Sequence, residues 1–228
     1  MNHFKNAVKG LDHLQAQTFM HHYEIAVGKR PNILYDPLSP KFCERLAAMH
    51  LVCEYVGHEH GPDLIYDSTA LTQIFEMDVK SNYNFDRKKQ THQFIIDAPL
   101  GTEDDKERYL PGHPLVHVSL DPEKNRVLST VIFAIKPNIV DKRADVLNKK
   151  AKGLYKDSGQ KFKITASTLD IVSVVYFNME EYNRKFPKPK GMVKKLADIW
   201  QNKHPIQKLK LRKDQIEKDL SDYYENNF

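Results

Sequence analysis

Residues 62–66 (Pro-Asp-Leu-Ile-Tyr) and 72–80 (Thr-Gln-Ile-Phe-Glu-Met-Asp-Val-Lys) decide the predicted fold of this chain. Both stretches are rich in β-branched and aromatic residues, so they predict two neighbouring strands, with a turn around Asp67-Ser68-Thr69 between them. A helix over residues 40–52 is predicted just before them, because Ser39-Pro40 supplies a capping hydroxyl and a proline suited to the first turn. A helix is therefore expected to precede the first two strands of the sheet.

The rest of the chain continues this mixed pattern of strands and helices. Strands are predicted at 114–120, 126–136, 160–167 and 169–178, and helices at 4–27, 141–150, 191–202 and 205–225. Helices at both ends of a central group of strands predict an α/β (α+β) class, with a central mixed β-sheet flanked by helices. Two prolines, a glycine and four basic residues between 183 and 191 indicate a linker. We expect one domain over residues 1–182 and a basic C-terminal helical segment, 183–228, packed on or next to it.

Composition limits the environment and the partners of the protein. The 228-residue chain has no apolar run near the roughly 20 residues that span a bilayer and no signal-like N-terminus, so we expect a cytoplasmic protein without a membrane partner. Its two cysteines form no C-x-x-C pair, which argues against a disulfide framework or a thiolate zinc site. Residues 136–228 hold 21 Lys and Arg against 12 Asp and Glu, and residues 1–135 hold 14 against 18. The basic half is suited to phosphate backbones, although a solubilising surface has the same composition.

An acid, acid and base pattern stands near the end of the second predicted strand. Side chains alternate along a strand, so Glu76, Asp78 and Lys80 share one face. Asp63, at the start of the preceding strand, converges with Asp78 if the two strands are neighbours in one sheet. Two converging carboxylates suit Mg²⁺, which takes oxygen ligands, keeps waters, activates one of them and neutralises phosphate charge. The Lys80 ammonium is suited to hold the attacking water or to stabilise the developing charge.

Position, rather than the triplet itself, makes this pattern specific. Acid-x-Lys occurs at Asp78-Val79-Lys80, Asp86-Arg87-Lys88 and Asp104-Asp105-Lys106. Only the first triplet ends an alternating apolar strand, and the one Pro-Asp of the sequence, Pro62-Asp63, begins the strand before it. A fully solvent-exposed strand face is the alternative interpretation of the same charges.

Pro62-Asp63, a gap of 14 residues and then Asp78-Val79-Lys80 resemble the signature of the PD-(D/E)XK nuclease superfamily. The resemblance covers residues 40–82 and implies a restriction-endonuclease-like core that hydrolyses phosphodiester bonds with a metal-activated water. It implies that Asp63 and Asp78 bind one or two Mg²⁺ ions, for which Mn²⁺ is an expected substitute. It also implies that Lys80 assists the nucleophilic water.

Many members of this superfamily have a helical glutamate before the Pro-Asp that helps to hold a second metal ion. Glu44 in the predicted helix 40–52 matches it by position, and Glu24 is the competitor. Through the resemblance we assign Glu44 as a further catalytic and metal-binding residue. A solvated helix residue is the alternative interpretation.

The substrate follows from the same resemblance together with size and charge. The modest length, the lack of a fused helicase or ATPase motif and the basic C-terminal half favour a type II restriction enzyme. Such an enzyme is expected to be a homodimer that cuts double-stranded DNA at a specific sequence. Polar and basic residues that follow Lys80 are candidate DNA contacts, or otherwise a solvated loop, and they are Asn82, Asn84, Arg87, Lys88 and Lys89.

Two other functions remain open from the sequence. The first is a structure-specific, phage or viral nuclease of the same superfamily that acts on junctions or RNA. The second is a non-catalytic basic nucleic-acid-binding protein in which the acid and lysine pattern is a surface coincidence. The sequence contains no glycine-rich phosphate loop, no G-x-S-x-G and no Cys/His dyad, so other common enzyme classes are not indicated.

Overall fold

A computed structural model of the chain describes residues 40–56, 61–82, 85–86, 91–92, 95–99, 109–121, 126–154, 161–203 and 213–227. The predicted helix 4–27 lies outside these residues. So do the candidate DNA contacts Asn84, Arg87, Lys88 and Lys89 and the side chain of Asn82. No helix of the described part is long and apolar enough to cross a bilayer.

The described residues form five α-helices and ten strands. The helices are α1 (Pro40–Leu51), α2 (Ile139–Ala151), α3 (Met179–Lys185), α4 (Gly191–Asn202) and α5 (Lys213–Asn227). The strands are β1 (Glu54–Tyr55), β2 (Leu64–Ser68), β3 (Gln73–Asn82), β4 (Phe85–Asp86), β5 (Thr91–His92), β6 (Ile95–Pro99), β7 (Pro114–Asp121), β8 (Arg126–Ile135), β9 (Lys161–Thr165) and β10 (Leu169–Phe177). A single 3₁₀ turn, Ala166–Thr168, joins the last two strands.

Six strands form one open sheet in the order β1-β2-β3-β7-β8-β10. Every neighbouring pair is antiparallel except β3 and β7, which are parallel. The prediction of a mixed sheet with helices around it is therefore confirmed. Two further pairs, β4 with β5 and β6 with β9, stand outside this sheet.

Strand alternation gives the sheet two different apolar faces, and helices cover both. On one face α1 and α5 pack against alternate residues of β3, among them Met77 and Val79, to form what we call the α1 core. On the other face α2, α3 and α4 pack against residues such as Leu115 and Phe133, to form the α4 core. The chain thus has three layers, and each face of β3 meets a different environment.

The sequence of helix α1 suits a helix that packs on the sheet. The helix begins at Pro40, which suits a first helical turn, and apolar residues spaced three and four apart then face the sheet. Four of these, at 0–1% exposure, are Cys43, Leu46, Ala47 and Leu51. The sequence prediction of this helix is confirmed.

The predicted linker over residues 183–191 is wrong in its first part. Helix α3 runs from Met179 to Lys185. The Asn178 side chain caps its N-terminus by accepting a hydrogen bond of 3.1 Å from the Glu181 N–H. Tyr182 stacks on Phe177 with ring centroids 4.2 Å apart, and the next aromatic residue, Phe186, is fully buried. Burial of this aromatic row outweighs the local proline and lysine content that indicated a linker.

The turn predicted at Asp67-Ser68-Thr69 is displaced towards the C-terminus. Strand β2 runs through Ser68, which pairs with Gln73, so the turn occupies the residues between them. The buried Ser68 hydroxyl accepts a hydrogen bond of 3.2 Å from the Leu71 N–H, and Thr72 has a positive φ of 50°. The serine therefore closes the turn rather than lying in its middle.

Candidate active site

Asp63 lies directly before β2, and Asp78 lies on β3, the antiparallel neighbour of β2. The first residue of β2, Leu64, pairs with Met77, and the Asp63 N–H donates a hydrogen bond of 3.1 Å to the Met77 carbonyl, next to Asp78. The Asp63 Oδ2 also accepts a hydrogen bond of 2.7 Å from the backbone N–H of Val79. Both carboxylates raise the pKa of Lys80, so both lie near the same ammonium. Their convergence on one metal ion stays a prediction.

Asp78 is a buried carboxylate, with only 3% of its surface exposed. It pairs with Leu115, a residue of the α4 core, so its side chain points to that side of the sheet. The His113 Nε2 lies 3.4 Å from the Asp78 Oδ2, at ion-pair distance, but is not aligned as a hydrogen bond. A fully solvent-exposed strand face does not describe Asp78, because a buried carboxylate needs partners.

Lys80 follows Asp78 on the same face, since its partner across the parallel pair is His117, two residues after Leu115. The Lys80 ammonium is hydrogen-bonded to the Tyr109 hydroxyl. Burial alone would lower the pKa of Lys80. The pKa nevertheless lies above its usual value, because Tyr109 and the carboxylates of Asp78 and Asp63 favour the charged form. Lys80 is thus a fixed cation and hydrogen-bond donor rather than a base at neutral pH.

Glu44 does not join the two aspartates. It lies in α1, which packs on the face of β3 opposite to Asp78, and it is hydrogen-bonded with Tyr55. Among the described residues there is no group of three or more His, Cys, Asp and Glu side chains that is arranged to hold a metal ion. The structure therefore does not place Glu44 with Asp63 and Asp78 as a third carboxylate.

The residues present fit a magnesium ion of the kind that keeps much of its own water. The carboxylates of Asp63 and Asp78 both act on the Lys80 ammonium, and Asp63 also contacts the backbone N–H of the residue that follows Asp78. Two neighbouring carboxylates oppose each other's ionisation, and a cation between them relieves that cost. Mg²⁺ is commonly held by one or two carboxylates and waters, so the pair is sufficient for it.

Two residues of the site, Tyr109 and His113, were not predicted as part of it. They lie in the turn that leads into β7, and the parallel pairing of β3 with β7 brings this turn next to Asp78 and Lys80. The stretch 98–112 is polar and shows neither helical nor strand periodicity. The only local signal is Tyr109 itself, an aromatic residue within a charged stretch.

Comparison of the chain with protein-family models, with curated proteins and with solved structures finds no match.

Proposed function

We propose that the protein is a Mg²⁺-dependent endonuclease that hydrolyses phosphodiester bonds in nucleic acid. The observation that carries the proposal is the buried Asp78 beside Asp63, with the Lys80 ammonium next to both. A buried Asp78 with a second carboxylate, the half-buried Asp63, nearby costs folding free energy, which a site for a divalent metal and a phosphate explains. The order of α1, β2 and β3 also agrees with what the resemblance to PD-(D/E)XK nucleases implies.

The three residues Asp63, Asp78 and Lys80 have distinct roles in this proposal. Asp63 and Asp78 would hold Mg²⁺, which when bound supplies a water of lowered pKa and neutralises charge on the scissile phosphate. Lys80 donates hydrogen bonds and positive charge at the same place, where it can orient the attacking water or stabilise an anionic phosphate oxygen. The raised pKa of Lys80 supports the role of cation and hydrogen-bond donor over that of general base.

Double-stranded DNA is the proposed substrate, and a homodimer that cuts a specific sequence is the proposed form. The positive charge supports a polyanionic substrate, since residues 136–228 carry an excess of nine basic over acidic side chains. Helices α2 and α4 cover the same face of the sheet as Asp78 and carry exposed lysines, among them Lys149, Lys150, Lys194 and Lys195. A type II restriction enzyme is the member of the superfamily that best suits this size and charge.

The experiment is cleavage of supercoiled plasmid DNA by the purified protein with Mg²⁺ or Mn²⁺, against a control with EDTA. We expect metal-dependent cleavage that Asp78→Asn abolishes and that Asp67→Asn, an exposed acid on β2, leaves unchanged. Discrete fragments from linear duplex DNA support a restriction enzyme, whereas activity only on branched DNA or RNA supports a structure-specific nuclease. DNA binding without cleavage of any substrate in either metal would overturn the proposal.

A further inference from the structure

The turn from Tyr109 to His113 lies next to Asp78 and Lys80 and has an unusual backbone conformation. Tyr109 is 4% exposed and has a φ of 64°, a left-handed conformation that is uncommon for a bulky residue. Its ring lies 5.9 Å from that of His113, and the His113 N–H donates a hydrogen bond of 3.0 Å to the Leu110 carbonyl. Such strained backbone persists only where its surroundings hold it, and it concentrates at functional sites.

Two distant elements hold this turn in place. The Gly112 N–H donates a hydrogen bond of 2.7 Å to the Ile135 carbonyl at the end of β8. The Tyr224 hydroxyl, on α5, donates one of 2.9 Å to the Gly112 carbonyl. Gly112 itself has a φ of 83°, which a residue with a side chain rarely adopts. The turn is thus held from the sheet and from the last helix at one residue, Gly112.

The two ends of the turn meet the two charged groups of β3. At one end the Tyr109 hydroxyl accepts a hydrogen bond from Lys80, and at the other His113 reaches Asp78. A lysine side chain has a flexible four-carbon stem, so a neutral acceptor on a rigid backbone can fix its ammonium without cancelling the charge. Small errors in the position of an active-site group reduce rates by as much as about 100-fold.

We propose that Tyr109 is a positioning residue that anchors the Lys80 ammonium beside Asp63 and Asp78, and that the clamp of Tyr224 on Gly112 keeps this anchor in place. The inference rests on the proposed endonuclease function for its catalytic meaning. The anchoring of Lys80 itself is a property of the chain that is measurable without any substrate.

The first test is Tyr109→Phe, which removes the hydroxyl and keeps the ring. The single-turnover rate constant for plasmid cleavage is expected to fall about 10- to 100-fold with the Kd for DNA unchanged. Tyr66→Phe is the matched control, because its hydroxyl donates a hydrogen bond of 2.9 Å to the Lys213 carbonyl on the other side of the sheet. This control is expected to cleave at the wild-type rate.

The second readout is the NMR signal of the Lys80 side-chain nitrogen in protein labelled with ¹⁵N-lysine, assigned by its loss in Lys80→Arg. We expect Tyr109→Phe to shift this signal or to broaden it through faster exchange with water, and Tyr66→Phe to leave it unchanged. Tyr224→Phe is a third variant, which releases the clamp and is expected to act in the same direction with a smaller effect. It also keeps the test decisive if Tyr109→Phe does not fold.

The outcomes separate the two proposals. A wild-type protein that cleaves nothing overturns the endonuclease function, and the Lys80 signal then decides the anchoring alone. An active wild type with an equally active Tyr109→Phe variant overturns the positioning role. An unchanged Lys80 signal in both Tyr109→Phe and Tyr224→Phe overturns the anchoring as well.

Discussion

The carboxylate of Asp63 accepts a 2.7 Å hydrogen bond from the backbone N–H of Val79, the residue between Asp78 and Lys80. One side chain directly before β2 therefore fixes the backbone of β3 at the point from which both other site residues project. Asp63 has two separable roles, a structural one through the hydrogen bond and a proposed metal-binding one through its charge. Substitutions that remove one role and keep the other can distinguish them.

Asp63→Asn is expected to retain the hydrogen bond to Val79 and to lose the charge. Cleavage in Mg²⁺ should fall by at least about 100-fold, as for loss of other charge-stabilising groups, with little change in the free energy of unfolding. Asp63→Ala should lose both properties and destabilise the fold by about 1–3 kcal/mol, because the Val79 N–H loses its acceptor. Plasmid cleavage and urea unfolding of both variants check this, and equal stability of the two would contradict the structural role.

Lys80→Gln is expected to separate metal binding from catalysis. It removes a cation that competes with Mg²⁺ for the field of Asp63 and Asp78, so Mn²⁺ should bind at least as tightly as to the wild type. Cleavage should still fall by about 100-fold, because the positive charge that stabilises the developing phosphate charge is gone. Calorimetric titration with Mn²⁺ measures the first effect, with the exposed Lys218→Gln on α5 as control. Weaker metal binding in Lys80→Gln would argue that Lys80 supports the site only structurally.

Helix α4 is expected to be an integral part of the domain rather than a separable appendage. Leu196 is fully buried in the α4 core, whereas Ile199 on the same helix is 37% exposed. Leu196→Ala should reduce the free energy of unfolding by about 2–5 kcal/mol, and Ile199→Ala by clearly less. Urea unfolding followed by circular dichroism compares the two, and equal small losses would show that the helix docks weakly.

Alkaline pH is expected to destabilise the protein through its two thiols, of which Cys43 is buried and Cys53 is partly buried. Burial raises the pKa of Cys43 and of Cys53 from 9.0 to about 12. Folding therefore favours the protonated thiols, so their contribution is complete below pH 9 and is lost as the pH rises towards 12. The free energy of unfolding should fall from about pH 9 upward, and less steeply in Cys43→Ala. Urea midpoints between pH 8 and 11 measure this. The native protein is also expected to react slowly with Ellman's reagent at pH 8, because its thiols stay protonated.

The sequence was sufficient to predict β3, the strand that carries Asp78 and Lys80. Alternation along residues 72–80 predicted that Asp78 and Lys80 share a face, and the pairing of Asp78 with Leu115 and of Lys80 with His117 confirms it. This worked because a strand has a period of two whatever its neighbours are. The start of β2 was predicted two residues too early, so that Asp63 lies directly before the strand rather than in it.

Features that depend on long-range pairing were not predictable in this way. Glu44 lies in a helix, as predicted, but spacing in sequence does not reveal which face of the sheet a helix covers, and α1 covers the face opposite to Asp78. Tyr109 and His113 reach the site only because β7 runs parallel to β3. Parallel strands are joined by a long crossover connection, so the residues that this connection brings to the site cannot be recognised from a local sequence pattern.

The clamp of Tyr224 on Gly112 has a consequence for the order in which the protein matures. It joins residues 112 positions apart, and closing so long a loop carries an entropic cost that slows formation of the contact. On a ribosome, β2 and β3 would already pair while α5 is still unmade. The contact that holds the turn at Gly112 would then be among the last features to form, so a nascent chain would have Asp63 and Asp78 in place well before the proposed anchor of Lys80.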